Sequence, residues 1–276
     1  LQRWVPGMVN GDTILAVGMT EATAGSDLAS LRTTAVDDGD AYIVNGHKAF
    51  VTNGTLADLI IVSCITNPEH KQWGVSLLAI EVPADGVAIS APLKKIGWHA
   101  QDTVEIYLED VRVPKDIVIG QPGQVFYLMG KELDQERMLI AVNAIASARA
   151  ALDWTLAYCK EREAFGRPIG SFQNSRFRLA EMETELTVGQ VFVDRCIAEW
   201  SSGSLGSAEV AMAKWWAPKL AFEIVQQCLL VHGHGGYSEE LPFEQRLRDV
   251  LGMQIGDGTA HIMKMVIARS HVGRLT

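Results

Sequence analysis

Basic residues are in short supply in this chain. Its 24 lysines and arginines face 33 aspartates and glutamates, a formal charge of −9, which argues against a general nucleic-acid-binding surface. A polyanionic ligand would have to meet a local cluster of cations or exposed backbone N–H groups. Cysteine is scarce too. Cys64, Cys159, Cys196 and Cys228 are widely spaced and form no C-x-x-C pair, so free buried thiols in a reducing compartment are expected. No apolar run approaches the length of a membrane span. The opening LQRWVPGMVNG lacks the apolar centre of a secretory signal peptide, and it begins with Leu rather than Met, so the chain reads as a fragment. There are no internal repeats and no low-complexity tracts. What is present is an ordinary globular composition, 48% hydrophobic and 21% charged over 276 residues, enough for one large or two medium domains.

The hydrophobic period changes part-way along. Residues 12 to about 118 carry short alternating or apolar runs such as LIIVSCIT, VSLLAIEV and TVEIYLEDVRVP. Turn residues separate them, notably Asp38-Gly39 and Asn45-Gly46; the second pair predicts a tight hairpin between Tyr42–Val44 and His47–Val51. Many strands with no helical period between them predict an antiparallel barrel or sandwich. After GQPGQ (Gly120 to Gln124), Met138, Val142, Ile145, Leu152 and Leu156 fall at helical spacing. Further helices are predicted over Phe172–Trp200, Ser207–Val231, Phe243–Leu251 and Thr259–Val272, making a bundle of about four long helices. The fold class expected is α+β in two domains: a β-barrel or sandwich domain over 1–121, then an up-down α-helical bundle over 122–276.

Two stretches stand out chemically. MTEATAGSD, Met19 to Asp27, leaves the first strand with hydroxyls, small residues and free N–H groups that could cradle a planar or phosphorylated ligand; a polar surface loop is the plain alternative. IGDGTAHI, Ile255 to Ile262, sets Asp257 between two glycines at the start of a helical run. Asp257 there is either a base or, like Thr259, a helix cap.

These two stretches occur in order with YIVNGHKAFVTNGTLAD, LEDVRVP, REAFGRPIGSFQ and HGHGGYSEELPFEQRLRD. Together they resemble the signature segments of the acyl-CoA dehydrogenase flavoprotein family over nearly the whole chain. AQDTVEIYLEDVRVP, FYLMGKELDQERMLIA and MAKWWAPKL resemble its long-chain branch. The resemblance implies a middle β domain and a C-terminal bundle holding FAD. It also implies an N-terminal helical domain that this chain does not contain. The implied reaction is α,β-dehydrogenation of an acyl-CoA thioester to the trans-2-enoyl-CoA: a carboxylate takes the α-proton while a hydride passes from the β-carbon to flavin N5. Such a base works in a low-dielectric slot, with donors to the developing enolate.

Carried over residue by residue, the resemblance implies flavin contacts from Val17, Met19, Thr20, Gly25 and Ser26, with Ser26 also facing CoA. Phe50, Val51 and Thr52 match the segment covering the flavin ring. Arg162 and Gln173 match positions reaching FAD, the arginine across a dimer interface. Gly233 lies in HGHGGY, where His234 replaces a family glycine and Leu230 replaces a family glutamine. His232 and His234 have no evident third partner for a metal, so no metal is expected. Thr259, Ala260 and His261 match a flavin-contacting triplet. Tyr127, Asp134, Gln135, Arg137, Gly256 and Gly258 match substrate contacts.

Two carboxylates compete as base. Much of the family carries Glu where Asp257 stands. The long-chain branch instead uses the Glu of an x-x-E-R segment, here Glu136 in LDQER. Asp is a methylene shorter than Glu, and misplacement by about 1 Å can cost on the order of a hundredfold in rate. Glu136 is therefore the expected base and Asp257 the alternative, while Glu136 paired with Arg137 or Lys131 is the reading in which it does nothing chemical. The partners implied are an acyl-CoA, electron-transfer flavoprotein as acceptor, and a second copy in a homodimer or homotetramer. The compartment implied is bacterial cytoplasm, or the mitochondrial matrix in a eukaryote. An acyl-CoA oxidase, a nitroalkane oxidase and a non-catalytic member of the same fold stay open.

Overall fold

The computed structural model describes residues 3–120 and 125–273, without the side chains of 71–73 and 126–128. The chain forms two compact units. One runs to Lys95 and resumes from His99 to Lys131; the other takes Ile96–Trp98 and the chain from Glu132 onward.

The first unit opens with a short helix, α1 (Val5–Asn10), and is built on eight strands: β1 (Leu15–Gly18), β2 (Thr34–Asp38), β3 (Ala41–Thr52), β4 (Leu59–Ile65), β5 (Val75–Glu81), β6 (Val87–Ile89), β7 (Thr103–Pro114) and β8 (Val118–Ile119). Their order is β6-β7-β3-β2-β4-β5-β8, with β1 on β4. The sheet is not a closed barrel, and β4 runs parallel to both β1 and β2. An intervening β3 reverses the chain twice before β4 begins, so the wholly antiparallel arrangement expected from the strand runs does not arise. Alternation along the strands sends Val44, Val51, Ile60, Val62, Leu78, Val104 and Ile106 into one core, as a half-buried sheet requires.

One turn expectation fails. Asp38-Gly39 does link β2 to β3, with Gly39 in the left-handed region. Asn45-Gly46 makes no hairpin: β3 runs straight through it, with a register shift against β7 between Val44 and Gly46. The side chain of Asn45 bonds Asp110 instead, donating to its carboxylate at 3.0 Å and accepting from its amide at 2.9 Å. A side chain at Gly46 would collide with Thr33, so the glycine serves close packing at a bulge.

The second unit is helical. Its long helices are α2 (Val125–Glu161), α3 (Gln173–Ser201) and α4 (Ser207–His232), followed by α5 (His234–Tyr237), α6 (Phe243–Gly252) and α7 (Ala260–Val272). A short hairpin, β9 (Glu163–Ala164) with β10 (Arg167–Pro168), separates α2 from α3. Three helices are long and two are of middle length, where four long ones were expected. Small residues on α2 (Ala141, Ala144, Ala148, Ala151) let it lie close against the core formed by α4. Helix α4 is the most deeply buried, with Val210, Ala213, Ala217, Ala221, Ile224 and Cys228 all inside. Truncating one large member such as Ile224 to Ala would cost about 2–5 kcal/mol. No helix among the described residues is long and apolar enough to cross a membrane.

Candidate active site

In the first unit the loop after β1 is held from beneath. Glu21 is 6% exposed and Lys48, from β3, is wholly buried; the Lys48 ammonium donates to Glu21 Oε1 at 2.8 Å. Glu21 also accepts from the Thr33 hydroxyl and from the amides of Thr33 and Arg32. Burial alone would push the Glu21 carboxyl up. The donors, Lys48 first and then Thr33 and Arg32, outweigh it and hold the group below its ordinary range. Burial pushes Lys48 down, with Glu21 opposing.

Above this anchor the loop crosses onto β3, where the Ala49 amide donates to the Thr20 carbonyl at 2.8 Å. That bond brings Thr20 beside Phe50. Phe50 sits at φ 56° with its ring 66% exposed, and Val17 is exposed as well. Val51 points the other way, into the core, and the Thr52 hydroxyl accepts from Gln101 at 2.8 Å. Among the described residues, the amides of Ala22, Thr23, Gly25 and Ser26 have no protein partner. An exposed apolar ring beside free amide donors fits a flat aromatic cofactor rich in acceptors.

In the second unit, side chains from α2 and α4 converge on the segment between α6 and α7. Arg137 donates to the Asp257 carbonyl at 3.0 Å and pairs with Asp134 at 2.9 Å. The hydroxyl of Ser207 caps the other oxygen of Asp134 at 2.6 Å. Asp257 and Gly258 both lie at positive φ, 52° and 100°; a side chain at Gly258 would meet both that strain and the methyl of Met263. Thr259 is the cap of α7, accepting from the Ile262 amide. Asp257 is not the cap.

Glu136 is exposed and, among the described residues, has no ion pair and no hydrogen-bonded side chain. Arg137 is taken by Asp134 and the Asp257 carbonyl, so the paired, inert reading of Glu136 does not hold for that partner. Gln135 and His261 are exposed, and Gly256 lies one residue before Asp257. The side chain of Tyr127 lies outside the described residues.

Lys214 was not singled out from the sequence. It is wholly buried on α4, and its ammonium donates to the Gly258 carbonyl. Burial pushes it down to about 8, with the Asp257 carboxylate pulling back and Arg137 pushing further down. The available signal was a lysine on the buried stripe of an otherwise apolar helix, at Val210, Lys214, Ala217 and Ala221.

Elsewhere in this unit, Arg162 and Gln173 flank the β9–β10 hairpin and are exposed. The Arg162 carbonyl accepts from the Ile169 amide at 2.8 Å, and Phe165 stands out at the hairpin tip, 96% exposed. Gly233 ends α4 at φ 60°. His232 belongs to the core: it bonds the Cys228 carbonyl at 2.8 Å and stacks between Tyr158 and Phe243, each 4.2 Å from its ring. Among the described residues no three His, Cys, Asp or Glu side chains cluster as a metal site would need.

An α+β protein with an amide-lined loop beside an exposed ring, and a free carboxylate beside a cation-held turn, defines a class of ligand-binding enzyme folds. Comparison with known proteins is specific. Residues 16–111 match the family model for the acyl-CoA dehydrogenase middle domain, and residues 124–272 match that for the C-terminal domain. The chain belongs to the acyl-CoA dehydrogenase family, whose members are FAD flavoproteins. It is 39% identical over 274 residues to the mitochondrial long-chain specific acyl-CoA dehydrogenase of Sus scrofa, covering 99% of this chain and 64% of that relative. The chain thus spans a little under two-thirds of that protein's length. The crystal structure of an acyl-CoA dehydrogenase from Geobacillus kaustophilus matches with TM-score 0.95 and 44% identity, over 98% of this chain and 71% of the other. A prolyl acyl carrier protein oxidase, AnaB, matches with TM-score 0.94 and 29% identity, over 98% and 71%.

Proposed function

We propose that this chain carries the flavin and acyl-CoA machinery of a dehydrogenase that converts an acyl-CoA thioester to the trans-2-enoyl-CoA. The observation that carries the reading is the free carboxylate of Glu136, one residue from an arginine that grips the Asp257–Gly258 turn. Glu136 takes the α-proton, and Arg137, Asp134 and Gly258 shape the approach of the thioester. Thr20, Ser26, Phe50 and the free amides of the 22–26 loop would hold FAD, with Arg162, Gln173, Gly233, Thr259 and His261 as further contacts. When bound, FAD supplies the acceptor for the β-hydride. An exposed arginine such as Arg162 supplies the local positive charge that the pyrophosphate needs in an acidic chain. A homodimer or homotetramer, with electron-transfer flavoprotein as the electron acceptor, completes the reading.

The long-chain relative supports the dehydrogenase assignment. The oxidase of the same fold supports a second one, in which oxygen reoxidises the flavin. The visible spectrum of the full-length protein separates them. Flavin absorption that bleaches anaerobically with an acyl-CoA and stays bleached on brief exposure to air supports the dehydrogenase. Rapid recovery in air marks the oxidase, and a colourless protein that FAD cannot reconstitute removes both.

A further inference from the structure

Two consecutive carbonyls of the turn before α7 are each held by a cation from a different helix. Arg137 of α2 holds that of Asp257 and Lys214 of α4 holds that of Gly258. A trans peptide is flat, so fixing a carbonyl oxygen also fixes the N–H on the opposite edge of the same plane. The turn needs such fixing because it passes through two left-handed residues in succession, Asp257 and Gly258, a conformation that an L-residue adopts at a cost. Among the described residues the amides of Asp257 and Gly258 have no partner, so they stand as donors for a ligand.

A lysine is an expensive way to satisfy one carbonyl, because a buried ammonium gives up its hydration. Helix α4 carries it where every neighbour on the buried stripe is apolar: Val210, Ala211, Ala213, Ala217 and Ala221. Its nearby charges are the Asp257 carboxylate and the Arg137 guanidinium, both belonging to the same turn assembly.

Resting on the dehydrogenase reading, we propose that Lys214 is a positioning residue for proton abstraction. By clamping the Gly258 carbonyl it locks the Asp257–Gly258 turn, so that the free amides of the turn meet the enolate oxygen that forms as Glu136 takes the α-proton. Lys214 touches neither substrate nor cofactor in this role.

The test uses the flavin-loaded full-length protein with Lys214→Met and Lys214→Arg. The probe is an acyl-CoA analogue carrying sulfur at the β-position, which can lose the α-proton but has no β-hydride to give. Its ionisation is read from long-wavelength absorption with the flavin. Lys214→Met is expected to keep its FAD and helix content while kcat falls about tenfold to a hundredfold, the scale of a misplaced donor, and KM moves much less. The bound analogue should become about tenfold or more harder to ionise, the smaller end of that same range. Lys214→Arg should restore part of both. Amide exchange at residues 256–260 should speed up in Lys214→Met, a readout that needs no flavin. If Lys214→Met loses helix content, Lys214→Gln takes its place, since its amide still reaches for the carbonyl without the charge. Unchanged analogue acidity in a folded, flavin-loaded variant overturns the proposal, whether or not exchange speeds up. A wild type that binds FAD yet never ionises the analogue overturns the dehydrogenase reading, and the role of Lys214 falls with it.

Discussion

Glu136 and Asp257 differ in what surrounds them more than in chemistry. Asp257 sits in a turn whose backbone is held at two points by Arg137 and Lys214, so its carboxylate cannot move without the turn. Glu136 projects from a continuous helix with no ion pair among the described residues, which leaves it free to meet a substrate carbon. Glu136→Gln is therefore expected to abolish dehydrogenation in the full-length enzyme, and Asp257→Asn to keep most of it; rapid-mixing rates of flavin bleaching with an acyl-CoA rank the two. The buried lysine makes a second prediction at this scale. Its folded-state value of about 8 lies below its ordinary 10.5. Between those values the folded chain has lost a proton that the unfolded chain keeps, so stability rises with pH across that window. The cost of burying the ammonium, roughly 3 kcal/mol from a depression of that size, is present below pH 8. Urea midpoints at about pH 7 and pH 10 should converge between wild type and Lys214→Met as pH rises, an effect of the same linkage. A difference independent of pH would mean that Lys214 is not buried in its charged form.

At the scale of elements, the loop between β1 and β2 depends on the ion pair beneath it. Replacing Glu21 by Gln would leave Lys48 charged, wholly buried and without its counter-ion, a loss of about 3–5 kcal/mol for a broken buried pair. Adding Lys48→Met to Glu21→Gln should recover much of that loss, and a double-mutant cycle in urea measures the coupling. Because the Glu21 carboxyl is held below its ordinary 4.5, its contribution is complete above that pH and drains away as pH falls through the lowered value. The pair also marks the limit of sequence reading. The periods of the runs placed strands and helices well, because one buried face per element leaves its mark every two or 3.6 residues. Which strand lies beside which is a long-range outcome: β4 parallel to β1 and β2, and Asn45-Gly46 inside β3 instead of at its end, leave no local trace. The motif residues Glu136, Arg137 and Asp257 were legible because a catalytic segment repeats its residue types. Lys48 and Lys214 were not, since each sits at a core position where periodicity alone predicts an apolar side chain.

For the whole molecule the open question is assembly, and α3 bears on it. Phe177, Val188 and Val191 are all exposed on that helix, at 59%, 59% and 65%. Steps of 11 and 3 residues place them within about 60° of one another around the helix, so they form one outward apolar stripe instead of scattered exposures. A stripe of this kind on a soluble protein marks a contact surface, and a second copy of the chain is the occupant consistent with a homodimer or homotetramer. The same assembly would let Arg162 of one copy reach a cofactor held by another. Val188→Glu combined with Val191→Glu puts charges on the stripe that cannot be desolvated cheaply, without touching the core beneath α3 at Met182, Leu186 and Val193. Sedimentation of the full-length protein should then show a smaller particle with unchanged helix content, and FAD should be retained less well. A variant that keeps both its mass and its flavin would place the assembly surface elsewhere, and would leave Arg162 to serve the cofactor of its own chain.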